Sequence, residues 1–176
     1  MLSCLVGSEM CIRDRLGRVK ISELKDSKKL PERKRSEIAK EIKKKAKSIS
    51  IGVVSSKMID KINIKRASIL AMQKAAINLS YRPKKIIVDG VDTFESEFPL
   101  ISVIKADNFI PEVMAASIIA KVYRDELLKK LDKKYPEFYF SSHKGYPTKK
   151  HIEAINTYGI IKEHRKSFSP IKNINE

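Results

Sequence analysis

Apolar positions recur along this chain in two rhythms. Ile86 to Val88 and Ile101 to Ile104 are short runs rich in β-branched residues, and they read as two buried strands. Elsewhere the period is helical. After Pro31, which suits a first helical turn, Ile38, Ala39, Ile42 and Ala46 return at helical spacing and predict a helix through Ser48, with lysines on its other face. Gly17 to Leu24 could hold a short strand, and Ser48 to Val54 alternates like one, interrupted by Gly52.

Ser55 to Asp60 reads as a helical turn ahead of a long helix from Ile64 to Leu79, with Ala67, Leu70, Ala71, Lys74 and Ala75 near one face. Tyr81-Arg82-Pro83 ends it, because a residue before proline avoids the helical region. A strong helix is expected over Ile110 to Leu131, with Val113, Ala116, Ser117, Ala120, Tyr123 and Leu127 tracking a buried stripe. That stripe favours packing over chemistry for Ser117. An aromatic and polar linker, Tyr135 to Pro147, leads to Thr148, which resembles the N-cap of a helix reaching Tyr158 and closed by Gly159. The basic tail from Lys162 to Glu176 is expected to be loosely held.

Each predicted strand ends close to an aspartate: Asp89, followed by Gly90, and Asp107, after Lys105 and Ala106. Taken singly, an Asp-Gly is turn chemistry and an Asp ahead of a helix is an N-cap. The pair says more. If the strands are parallel neighbours, both carboxylates emerge at the loop edge where α/β sheets carry sites, and together they could hold a divalent metal. His143, His151 and His164 match no zinc spacing, so loop or cap roles are expected for them.

Charge narrows the partner. Lys plus Arg outnumber Asp plus Glu by 37 to 21, a formal +16, which points to a polyanion or to a lysine-rich solvated surface. The chain of 176 residues with 42% hydrophobic content fits one core. Its two cysteines, Cys4 and Cys11, fall in the first eleven residues, so a disulfide framework is not expected and a reducing cytoplasmic setting fits. No apolar run nears the roughly 18 residues that span a bilayer. Residues 1–15 differ from everything after them and read as a foreign leader, 16–170 as the domain and 171–176 as a tail.

Six strings now carry a resemblance: DSKKL from Asp26, VDG from Val88, KAD from Lys105, AASIIAKVYRD from Ala115, HKGYPT from His143 and EHRKSF from Glu163. In this order and spacing the chain resembles ribonuclease HII from about Lys20 to Pro170. The resemblance implies an α/β, ribonuclease H-like mixed sheet of five strands flanked by helices, with a helical C-terminal part. It implies endonucleolytic cleavage of the RNA strand of RNA/DNA hybrids, and hydrolysis at single ribonucleotides embedded in duplex DNA, with Mg2+ or Mn2+.

Within that family four carboxylates hold the metals, two from a DEAGRG-type motif and two matching Asp89 and Asp107. Tyr146 matches the tyrosine that packs on the sugar at the DNA/RNA junction. Lys28, Lys121, Lys144 and Arg165 are candidates for phosphate contacts, and Asp125 is expected to be a salt-bridge partner on its helix. No obligate protein partner is evident.

The sequence departs from the pattern at one place: DEAGRG does not occur in it. Only 25 residues precede Asp26, so the first two strands of the family fold are expected to be missing, with little or no cleavage by the chain as written. A non-catalytic hybrid-binding module is the alternative, and a basic protein with some other acidic partner is a third.

Overall fold

The computed structural model describes Leu24 and residues 31–174. Residues 1–15 with both cysteines, and Lys28, lie outside the described residues, as does the strand expected over Gly17 to Leu24, except for Leu24 itself. That residue is helical and buried.

The helix α1, Glu32–Lys45, follows Pro31 and buries Ile38, Ala39 and Ile42, the faces its period predicts. Next comes a segment that corrects an expectation. Ser48 to Val54 alternates in burial as a strand would, yet it belongs to no strand among the described residues. The cause is its neighbour: a Cβ on Gly52 would meet the Ala71 carbonyl oxygen at 1.8 Å, so this backbone lies directly on a helix. Burial alternates because one side faces that helix, not because a sheet covers it.

The helix in question, α2, spans Ser56–Ile77 and breaks at Asn63, whose φ of 64° is not helical. Asn63 Oδ1 accepts the Arg66 N–H at 3.1 Å, so the longer half starts on its own cap. The expected turn followed by a long helix is therefore sound. Ala67, Ala71 and Ala75 are buried as predicted. Lys74 is exposed and donates to the Val53 carbonyl instead.

Strands β1, Ile86–Asp89, and β2, Leu100–Val103, pair in parallel, with Ile86 opposite Leu100 and Asp89 opposite Val103. Burial differs between them. Ile86 and Val88 lie in a cluster with Met72 and Ala76, whereas in β2 Ile101 is 42% exposed and Ile104, just beyond it, 64%. The expectation of two buried strands thus holds for β1 only, because the described sheet ends at β2 and one face of that strand meets solvent.

Helix α3, Pro111–Lys134, is the central rod, and its N-terminal half forms one core with Leu24 and α1. Its buried stripe is set by Val113, Ile118, Ile119, Val122, Leu128 and Leu131, while Ser117 is exposed and Tyr123 is 36% exposed. Of the expected stripe Val113 and Ala116 are buried, Ala120 and Leu127 are half-buried, and Ser117 and Tyr123 lie outside the core, so packing does not account for Ser117.

A 3-10 turn, Pro136–Phe138, and a short helix α4, Phe140–His143, carry stacked Phe138 and Phe140 into a second core. Helix α5, Lys149–Tyr158, is capped by Thr148 and ends at Gly159 with φ 77°, as the sequence predicts. Over its described residues the tail is not loose. Asp60 accepts the N–H groups of Lys166 and Ser167, both at 2.9 Å, Ser56 donates to the Lys162 carbonyl, and Ile171 of the last turn α6, Ile171–Ile174, is buried. Among the described residues no helix is long and apolar enough to cross a membrane.

Candidate metal and nucleic-acid site

Parallel pairing puts the ends of β1 and β2 side by side, and the chain then turns sharply at both. Gly90 follows Asp89 with φ 110° and donates its N–H to the Val103 carbonyl at 3.0 Å, which extends the ladder past the strand. Lys105 takes a left-handed φ of 55° and starts the 3-10 turn Ala106–Asn108 that holds Asp107. Asp89 Oδ1 accepts the N–H of buried Ala106 at 2.9 Å. One carboxylate therefore ties down the backbone next to the other.

Both aspartates are half-buried. Their donors are hard carboxylate oxygens, which fit Mg2+ or Mn2+; an ion of this kind is bound through one or two carboxylates while it keeps several waters. Among the described residues no group of three or more His, Cys, Asp and Glu gathers at one point. Among the described residues the candidate donors at this edge are Asp89 and Asp107, with Asp107 on the turn that Asp89 holds.

The basic candidates are spread over a second region. Lys121 and Arg35 both lie 3.5 Å from the buried Asp125, which makes Asp125 the salt-bridge partner its position on the helix suggests. Lys144 is left-handed, with φ 52°, and its ammonium is 3.3 Å from Glu32, shared with Lys129. The Lys129 hydrogen bond, more than the charge of Lys144, holds the Glu32 carboxyl below its usual range. Arg165 is buried, its guanidinium 3.7 Å from the centre of the Phe168 ring. Tyr146 is 60% exposed, with the Arg124 guanidinium 5.8 Å from its ring centre.

The three histidines, for which loop or cap roles are expected, join these pieces. His143, His151 and His164 are all buried, and the rings of His143 and His151 stack 4.1 Å apart. Gly145 N–H donates to His143 Nδ1 at 3.1 Å, and Ile161 N–H to His164 Nδ1 at 2.9 Å. The opposite nitrogen of each must then carry the proton: His143 Nε2 donates to the Phe138 carbonyl, and His164 Nε2 to His151 Nε2 at 3.2 Å. His151 in turn donates from Nδ1 to the Tyr146 carbonyl at 3.0 Å.

Burial pushes all three imidazoles below their ordinary range, His151 to about 4 and His164 to about 3. They are neutral loop supports. The signal in the sequence was their place inside HKGYPT and EHRKSF and one turn into α5, where a ring can face a core of phenylalanines.

Comparison with known proteins fits this geometry. The profile of the family described as Ribonuclease HII matches residues 4–171. The Ribonuclease HII of Shewanella loihica is 48% identical over 155 residues, which cover 86% of this chain and 74% of that protein. That of Vibrio parahaemolyticus is 48% identical over 152 residues, 86% of this chain and 72% of that one. Among solved structures, the ribonuclease H2 of Pyrococcus horikoshii superposes with a TM-score of 0.77 at 27% identity, over 91% of this chain and 83% of that one. The RNase HII of Archaeoglobus fulgidus, solved as a PCNA complex, gives 0.70 at 25% identity, over 93% and 85%.

Proposed function

The chain belongs to the ribonuclease HII family, nucleases that hydrolyse RNA in RNA/DNA hybrids, and from that premise we propose that Asp89 and Asp107 are half of a four-carboxylate, two-metal site for endonucleolytic cleavage. One observation carries the proposal: the carboxylate ending β1 fixes the turn bearing the carboxylate after β2. A pair of ions roughly 4 Å apart supplies an activated water and a stabilised leaving oxygen at phosphorus. The aspartates would hold and orient those ions. Their rigidity comes from the strand ladder and the Ala106 bond, which limit how far either carboxylate can drift.

The substrates this supports are the RNA strand of a hybrid and a single ribonucleotide in duplex DNA. Exposed Tyr146 would lie on the sugar at the junction, an amphipathic ring on an apolar sugar face. Lys121, Lys144 and Lys28 would meet phosphates, and the +16 charge would steer them there. Arg165 is also a phosphate candidate, but its burial against Phe168 favours holding the loop over touching substrate.

The remaining two carboxylates would belong to the DEAGRG-type motif, a string that does not occur in the 176 residues. The polypeptide of this sequence should therefore cleave little by itself. Absence of that motif also favours a second reading, hybrid binding without cleavage. Adding a two-strand segment bearing DEAGRG separates them: recovered Mg2+-dependent cleavage of a duplex with one ribonucleotide supports the nuclease, and none supports the binding module.

A further inference from the structure

The backbone of the tyrosine loop is held both by its own turn on His143 and by side chains of α3 and α5. Arg124 of α3 donates to the Lys144 carbonyl at 2.8 Å, Gly145 N–H reaches His143, Tyr146 N–H reaches the His143 carbonyl at 2.9 Å, and the Tyr146 carbonyl accepts both the Thr148 N–H at 2.9 Å and His151 Nδ1–H at 3.0 Å. The phenol ring itself stays exposed. An exposed ring on an immobilised backbone is presented without the ordering cost that a free loop carries.

The far end of this arrangement is the C-terminal segment. Asp60 on α2 pins Lys166 and Ser167, two and three residues past His164, and Ile161 N–H sets the His164 tautomer from the other side. His164 then fixes His151, and His151 fixes Tyr146.

Every ring nitrogen in the line has one partner of fixed sense. A proton added to His164 Nδ1 would face the Ile161 N–H, and one added to His151 Nε2 would face the His164 N–H. The charged groups around the line do not relieve this. Arg165 lines the small apolar cavity beside His151, Arg124 stands at the tyrosine, and Asp132 is engaged by the Ser141 N–H and hydroxyl.

We infer that His164 and His151 are positioning residues for Tyr146, neutral rings through which the C-terminal segment sets the tyrosine that meets the substrate. This rests on the junction role of Tyr146 proposed above. The rings touch no substrate. They act by supplying the second of two donors to one carbonyl, beside the Thr148 N–H, so their loss should reduce discrimination at the junction more than general affinity for nucleic acid.

The test measures binding of the 176-residue protein, by fluorescence anisotropy, to a duplex with one ribonucleotide and to the all-DNA duplex of the same sequence. Tyr146→Ala should lower the preference about tenfold, the scale of one aromatic contact to a nucleotide. His164→Phe keeps the ring and removes the donor, and should lower it about fivefold, the scale of one hydrogen bond, with all-DNA binding within about twofold. His164→Gln retains an N–H donor and should stay within about twofold of the wild type. Combined with Tyr146→Ala, His164→Phe should cause no further loss, because both changes act on one contact. Ring nitrogen NMR should find the proton on Nδ1 of His151 and on Nε2 of His164.

Tyr146→Ala without effect would overturn the tyrosine reading and this inference with it. A Tyr146→Ala loss with His164→Phe at wild-type preference overturns the inference alone. If His164→Phe does not fold, the tautomers and His164→Gln decide: the opposite tautomer on either ring, or a lost preference in His164→Gln, overturns it.

Discussion

Asp89 Oδ1 receives the backbone N–H of Ala106 at 2.9 Å, so the strand-end carboxylate is at once a structural acceptor and a candidate ligand. These two duties separate by substitution. Asn keeps an acceptor oxygen for Ala106, whereas Ala leaves a buried N–H without it, at about 1 to 3 kcal/mol. Thermal unfolding should place Asp89→Asn within about 2 °C of the wild type and Asp89→Ala several degrees lower. Equal midpoints for the two variants would show that the bond carries no weight.

Asp60 gives a second separable contact. Burial alone would raise its carboxyl, but the Ser167 hydroxyl and N–H, the Lys166 N–H and the Arg165 charge outweigh that and hold it below the usual carboxylate value. A depressed carboxylate stabilises the fold above its unfolded pKa, near 3.8, and that contribution fades as pH falls through the lower folded value. Asp60→Ala should cost about 1 to 3 kcal/mol at pH 7 and expose the tail to protease. A tail as resistant as in the wild type would contradict the anchoring.

The histidines act over a higher window. Their folded values, about 4 for His151 and about 3 for His164, lie below the ordinary 6.5, so the unfolded chain takes up protons first as the solution is acidified. Stability is then complete above about pH 6.5 and is lost on going down toward pH 4. The limiting slope is about 1.4 kcal/mol per pH unit for each such ring. Denaturant titrations at pH 7, 6 and 5 should show the loss, and His164→Gln should flatten it by one proton. A pH-independent midpoint would mean that the rings are not kept neutral.

Gly52 is read from steric contact alone. Any Cβ there meets the Ala71 carbonyl oxygen at 1.8 Å, so Gly52→Ala must push a segment away from α2. We expect a loss of about 1 to 3 kcal/mol, with Gly→Ser larger still. A midpoint unchanged in chemical denaturation would place the segment elsewhere.

How far the sequence reached follows from what each pattern encodes. The ends of β1 and β2, the Thr148 cap and the Gly159 stop were legible because each is local chemistry: a β-branched run, a hydroxyl, a missing Cβ. Errors came where a neighbour decides. Ser48 to Val54 alternates because α2 lies under it, Ser117 is exposed because bulkier residues one position on take the core, and β2 is half open because the described sheet stops there. The tail reads as loose because its anchor Asp60 is 106 residues away from Lys166, and its ring contact to His151 depends on which nitrogens meet.

The site divided along the same line. Asp89 and Asp107 stood out from strand-end position, whereas the role of the three histidines depended on which nitrogen faces which carbonyl, and no spacing reports that.

The most direct test of the account takes the chain extended with a two-strand DEAGRG segment and follows cleavage of a duplex carrying one ribonucleotide in Mg2+, for the wild type and for Asp89→Asn. The account predicts cleavage by the extended wild type and a rate at least about 100-fold lower for Asp89→Asn, with binding measured without Mg2+ changed less than about threefold. Cleavage by Asp89→Asn at the wild-type rate would contradict it.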